Sequence, residues 1–101
     1  MKFESNVIDG VIQIALMGEL DESSAKETRE YLDRMIDRSR YGKVVLNFEK
    51  VGFMDSTGIG VLLGRYKKIT ANGGELYVTN INAQIDKVFR ISGLYQIIKA
   101  V

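Results

Sequence analysis

The chain has 101 residues, 46% of them hydrophobic and 27% charged, and its 14 Lys and Arg nearly balance 13 Asp and Glu for a formal net charge of +1. These values fit one small domain with a core, and they exclude the broad positive field that draws proteins to nucleic acid or anionic membranes; neither is an expected partner. The chain has no Cys and no His, which removes disulfides, thiolate or imidazole metal sites and every His-dependent triad.

No apolar run approaches the roughly 20 residues that span a bilayer, and Met1–Asn6 lacks the apolar core of a secretory signal. A cytoplasmic protein without catalytic machinery of its own is expected.

Phe3 to Ile8 and Val11 to Met17 read as two strands joined by Asp9-Gly10, a dipeptide suited to a tight hairpin because a type I′ turn needs positive φ at both central residues. Gly18-Glu19-Leu20-Asp21 leads into a helix, with Asp21, Ser23 and Ser24 as candidate caps. Ala25, Thr28, Leu32, Met35 and Ile36 make its apolar stripe, and its charged face suggests i,i+4 pairs such as Glu30–Arg34. The helix ends at Tyr41-Gly42. Lys43 to Phe48 is a strand, and Glu49-Lys50-Val51-Gly52 reads as a turn.

From Thr57 to Asn72 the pattern is helical, with Ile59, Leu62, Leu63, Tyr66 and Ile69 as the stripe and Asn72-Gly73-Gly74 as a left-handed stop. A strand over Glu75–Thr79 follows. A third helix places Ile81, Ile85, Val88, Phe89 and Ser92 on one face before Gly93, and Gln96–Lys99 is a last strand-like run. The order β-β-α-β-α-β-α-β, without repeat or linker, predicts a single α/β domain over residues 1–101. Its sheet is mixed but mostly parallel, with helices mainly on one face.

The joint between the third strand and the second helix, Phe53-Met54-Asp55-Ser56-Thr57-Gly58-Ile59-Gly60-Val61-Leu62-Leu63-Gly64-Arg65-Tyr66-Lys67, holds the chemical question. Gly58-x-Gly60-x-x-x-Gly64 is one residue off a dinucleotide fingerprint, and Gly64-Arg65-Tyr66 does not close a phosphate-binding loop. A nucleophile elbow at Ser56 fails, because Met54 stands where a Gly is needed and the base would be a missing His. Ser56 could simply cap the helix. That leaves Gly60 and Gly64 unexplained: with Val61 and Lys68 they flank the apolar stripe, and exposed helical glycines cost roughly 1 kcal/mol each relative to Ala. They suggest a surface that another backbone approaches closely. Ser56 at a helix start is also a fit place for a phosphate. Asp21 and Asp55 should share one end of the sheet if the second and third strands run parallel as neighbours.

Gly18-Glu19-Leu20-Asp21, the motif from Phe53 to Lys67, and Ser92-Gly93-Leu94 together resemble the anti-sigma factor antagonists of the STAS domain family, most closely the sporulation type, along essentially the whole chain. The resemblance implies a non-enzymatic binding module, built as a superhelix of strand–helix turns, that frees a sigma factor when unphosphorylated. It implies as partners a GHKL-type anti-sigma factor/serine kinase, which modifies Ser56, and a PP2C-type phosphatase, which restores it. No cofactor is expected on this chain, because the ATP belongs to the kinase.

Asp21, Asp55, Ser56, Thr57, Gly58, Gly60, Val61 and Gly64 form the expected partner surface, and the protein is expected to be a monomer. The sporulation type usually continues into a further helix after the Ile-Ile-Lys run, whereas this sequence ends at Val101. A STAS module of another signalling complex, such as a stressosome component, and a small nucleotide-binding protein or phosphotransferase using Asp21 and Asp55 are the alternatives.

Overall fold

The computed structural model describes every residue from Met1 to Val101. Strand β1 (Lys2–Ile8) pairs antiparallel with β2 (Val11–Leu20). The turn between them has φ of 51° at Asp9 and 77° at Gly10, the double positive φ that the hairpin requires. Helix α1 (Ala25–Arg38), strand β3 (Lys43–Met54), helix α2 (Ser56–Ala71), strand β4 (Glu75–Thr79), helix α3 (Ala83–Ser92), a 3₁₀ turn (Leu94–Gln96) and the short strand β5 (Lys99–Ala100) complete the chain. The sheet order is β1-β2-β3-β4-β5, with every pair after the hairpin parallel. Each helix thus carries the chain from one strand to its immediate neighbour.

Side-chain alternation decides which face is covered. Ile12, Ile14 and Leu16 of β2, Val44, Leu46 and Phe48 of β3, and Leu76 and Val78 of β4 are buried. They meet the helices, as where Phe89 of α3 packs edge-on against Phe48 with centroids 5.8 Å apart; at the margin of this core, Tyr31 of α1 stacks on the half-buried Phe3 of β1 at 4.1 Å. The opposite face carries Gln13, Ala15, Val45, Asn47, Tyr77 and Thr79, none of them buried. One covered face and one open face is therefore the architecture, as the polar residues within the strands suggested.

Four local expectations need correction. Glu49–Gly52 is strand rather than turn. Between Ala15 and Met17, and again between Gly18 and Glu19, β3 advances one residue more than β2. Two such irregularities re-phase the inward face, so the buried residues step from Phe48 to Val51 to Met54 and the exposed Glu49, Lys50 and Gly52 imitate a turn. The stretch Gln96–Lys99 is mostly the 3₁₀ turn and its exit, with only Lys99 and Ala100 in the sheet. The stripe of α2 is centred on Gly58, Val61, Leu62 and Ile69, with Ile59, Leu63 and Tyr66 at its margins. Finally, Glu30 and Arg34 do not pair. Arg34 lies over the Tyr31 ring at 5.9 Å, while Asp33 and Asp37 reach across to α2, at 3.1 Å from Arg65 Nε and 2.8 Å from Lys68 Nζ.

Candidate protein-interaction site

Register brings the two acidic positions together. Leu20 of β2 is paired with Met54 of β3, and the Asp55 amide donates to the Leu20 carbonyl at 3.4 Å. Asp21 and Asp55 are the next residues of two parallel neighbouring strands, so they stand side by side at the carboxyl end of the sheet.

Asp21 is held by its own turn. Its Oδ1 accepts from the Ser23 hydroxyl at 2.7 Å, the Ser23 amide at 3.0 Å and the Ser24 amide at 3.2 Å. The Ser23 hydroxyl, above all, holds this carboxyl below the ordinary carboxylate range, with partial desolvation opposing it. Ser24 braces the same turn by donating to the Glu19 carbonyl at 2.6 Å. Asp21 is thus a fixed anion at neutral pH.

Asp55, not Ser56, caps α2. Its Oδ1 accepts from the Thr57 amide at 2.9 Å and the Gly58 amide at 3.2 Å, satisfying two donors that a helix start leaves free. The expectation of Ser56 as the cap is corrected by one residue. The reason is geometric: the extended Asp55 backbone (φ −116°, ψ −169°) sits in the capping position, and Ser56 becomes the first helical residue. Relieved of structural duty, Ser56 is exposed and its hydroxyl makes no hydrogen bond within the chain.

The remaining expected contact residues divide. Thr57 is half-buried beside Ser56, Gly60 is exposed and Gly64 is half-exposed. A Cβ at Gly60 or Gly64 would meet nothing within 4 Å, so the fold itself has no need of glycine there. Gly58 is the opposite case, since a Cβ would fall 2.6 Å from Met54 Cγ and 2.7 Å from the Leu20 carbonyl oxygen. Its glycine serves helix–sheet contact and its face is covered. Val61 is 1% exposed in the core and cannot touch a partner. Both Val61 and Gly58 leave the contact surface, because the helix phase turns them toward β2 and β3.

One feature is not visible in the order of residues. A groove of about 510 Å³ runs from Phe53, Asp55, Ser56 and Ile59 across to Lys87, Val88 and Ile91 of α3. Phe53 and Ile91 are exposed at its wall. The only signal in the sequence is Ile91 itself, an apolar residue off the stripe of its helix. No three acidic residues converge to hold a metal, and no helix is long and apolar enough to cross a membrane.

This geometry has close counterparts. Residues 2–101 match the model of the STAS domain. The chain is 40% identical over 88 residues, 87% of its length and 75% of the relative's, to an anti-sigma F factor antagonist of Paenibacillus polymyxa. It is 34% identical over 95 residues, 93% of this chain and 86% of the other, to an anti-sigma-B factor antagonist of Staphylococcus aureus. The fold superposes on the anti-sigma factor antagonist SpoIIAA in its unphosphorylated form with a TM-score of 0.83 at 30% identity, covering 99% of this chain and 88% of that one. It also matches the phosphorylated form of SpoIIAA, a Bacillus cell fate determinant, with a TM-score of 0.74, 30% identity, and 99% and 91% coverage. The chain belongs to the STAS domain family, and within it resembles the anti-sigma factor antagonists.

Proposed function

We propose that this protein is an anti-sigma factor antagonist switched by phosphorylation of Ser56. Unmodified, it binds an anti-sigma factor and so frees a sigma factor. The partner is a serine kinase of the GHKL type, which brings its own ATP and transfers phosphate to Ser56, and a PP2C-type phosphatase reverses the modification. The antagonist acts in the cytoplasm as a substrate and ligand, not as an enzyme.

The observation that carries this is the division of labour at the strand–helix joint. Asp55 performs the capping, leaving the Ser56 hydroxyl exposed and unbonded on the first residue of α2, where a kinase can reach it. A phosphate there adds about −1.5 to −2 charges beside Asp21 and Asp55, so an acidic or close-fitting partner surface is repelled without refolding. SpoIIAA, 30% identical, exists in both unphosphorylated and phosphorylated forms, which supports the same chemistry here.

Incubation with the anti-sigma factor of the same organism and ATP, followed by peptide mass spectrometry, tests the proposal. Phosphate on Ser56 is expected. Transfer to another residue, or none, would sink the mechanism.

A further inference from the structure

The two edges of the sheet are built differently. At one edge β5 has only Lys99 and Ala100, too short a strand to template another. At the other edge β1 runs from Lys2 to Ile8 and pairs with β2 without a register break. Edge strands are commonly blunted by a Pro, a bulge or a charge pointing inward. The chain has no Pro, β1 has no bulge, and its residues on the helix-covered face, Phe3, Ser5 and Val7, are uncharged. Contacts identify that face: Phe3 stacks on Tyr31, the Ser5 and Tyr31 hydroxyls lie 2.6 Å apart, and Val7 pairs with the buried Ile12. Val7 is 43% exposed and Ile8, on the open face, 57%.

The hairpin decides which backbone groups of β1 point outward. Ile8 and Val11 flank the two-residue turn as a hydrogen-bonded pair, and bonded and non-bonded pairs alternate along the strands from there. Lys2, Glu4, Asn6 and Ile8 therefore direct their amides and carbonyls at β2, while Phe3, Ser5 and Val7 turn theirs to the open edge. No turn or cap of the chain takes up these three backbones. The row is self-complementary. An antiparallel copy centred on Ser5 sets Ser5 opposite Ser5 and Phe3 opposite Val7, so every outward amide meets an outward carbonyl. The side chains agree with this register. Phe3 meets Val7 of the second copy on the helix-covered face, an apolar pair. On the open face Glu4 stands opposite Asn6, and Lys2 opposite Ile8, whose side chain the lysine stem can cover. No like charges stand directly opposite each other.

We propose that β1 pairs edge to edge with β1 of a second copy of this chain, about a two-fold axis at Ser5, joining the two five-stranded sheets into one. That axis stands perpendicular to the sheet, so the helices of both copies lie on the same face and the two Ser56 turns lie at opposite ends. Strand β2 separates β1 from β3, and the pairing leaves the Ser56 turn uncovered. A single strand with its side chains makes an interface below the roughly 1,200 Å² of a standard one. The dimer therefore forms at high concentration, and the monomer expected from the sequence is the dilute form. This pairing does not depend on the antagonist reading.

Analytical ultracentrifugation of the purified chain from roughly 5 to 500 µM, the range in which so small an interface dissociates, tests the proposal. The mass is expected to rise from one copy toward two. Val7→Lys, a charge placed on the edge, is expected to weaken the association at least about tenfold, and Ile91→Gln, an equally exposed change on α3, to leave it within about twofold. Melting curves that match the parent confirm that each variant is folded. Register is read separately, because the chain has no Cys of its own. Ser5→Cys places two thiols on the axis with Cα atoms about 5.5 Å apart, within disulfide reach, and mild oxidation is expected to give a covalent dimer. Val7→Cys places them about 13 Å apart and is expected to cross-link at least tenfold more slowly. A parent that stays monomeric throughout overturns the proposal and leaves the edge to a strand of some other protein. Association that Ile91→Gln abolishes and Val7→Lys does not, or cross-linking of Val7→Cys as fast as of Ser5→Cys, overturns it equally.

Discussion

The Asp55 amide donates to the Leu20 carbonyl, a cross-strand bond that fixes where the two acidic residues of the site stand relative to each other. Leu20 is the last residue of β2 and Met54 the last of β3, so Asp21 and Asp55 leave the sheet in step. Ser56 follows Asp55 directly and emerges beside both carboxylates. A new negative charge at Ser56 thus enters an edge already acidic, and its effect should be electrostatic rather than conformational.

Ser56→Asp is accordingly expected to weaken binding of the anti-sigma factor by about tenfold or more, whereas Ser56→Ala should bind like the parent and accept no phosphate. Calorimetry and a kinase assay separate the two. Tight binding by Ser56→Asp would mean that charge at this turn is not the switch.

The capping assignment predicts a different pattern for stability. Asp55→Ala frees the Thr57 and Gly58 amides and should cost about 0.5–2 kcal/mol in urea unfolding. Ser56→Ala removes no internal hydrogen bond and should stay within about 0.5 kcal/mol of the parent. The reverse ranking would restore Ser56 as the cap.

Two glycines of α2 should respond to alanine with opposite signs. At Gly58 the added methyl meets the Leu20 carbonyl oxygen at 2.7 Å and Met54 Cγ at 2.6 Å. The carbonyl belongs to the sheet and cannot yield cheaply, so Gly58→Ala should destabilise by about 1–3 kcal/mol. At Gly60 nothing lies within 4 Å, and Gly60→Ala should stabilise by up to about 1 kcal/mol. The same Gly60→Ala should bind the anti-sigma factor more weakly if a partner backbone approaches there. Thermal melts read the first pair of effects and calorimetry the second.

Alkaline pH should act through Tyr95, whose hydroxyl donates to Asp86 Oδ1 at 2.7 Å. Burial first, and the Asp86 carboxylate second, push the phenol up to about 12. A phenol with a raised folded-state value contributes stability below its unfolded value of about 10, and the contribution is lost as pH rises toward about 12. Parent and Tyr95→Phe melts should therefore converge between pH 10 and 12. A stability difference constant across that window would show that the ionisation is not coupled to folding.

Much of this molecule is legible in residue order. Asp9-Gly10 announces the hairpin, periodicity announces three helices, and Gly93, with φ of 78°, ends the third as expected. The stretch Glu49–Gly52 departs from its turn-like sequence for a physical reason. A polar, glycine-bearing insert looks like a turn locally, and only pairing with β2 keeps it extended, with two irregularities absorbing its extra residues. Val61 lies in the core rather than at the surface because a helix's inward phase cannot be read when small glycines, not apolar residues, mark part of the buried side. Gly60 and Gly64 are unobstructed at the surface, as their place beside the apolar stripe suggested.

By itself the sequence determined the fold class, the family and the singular position of Ser56, because composition, local period and motif spacing are properties of neighbouring residues. Tertiary structure decided which side chain caps α2, that Asp21 and Asp55 share an edge, and that Phe53, Ile59, Lys87, Val88 and Ile91 frame a groove at Ser56. Those facts depend on strand register and on helix phase across the sheet, which join residues about thirty positions apart. A serine at a helix start is, in three dimensions, an exposed hydroxyl between an acidic edge and an apolar cleft.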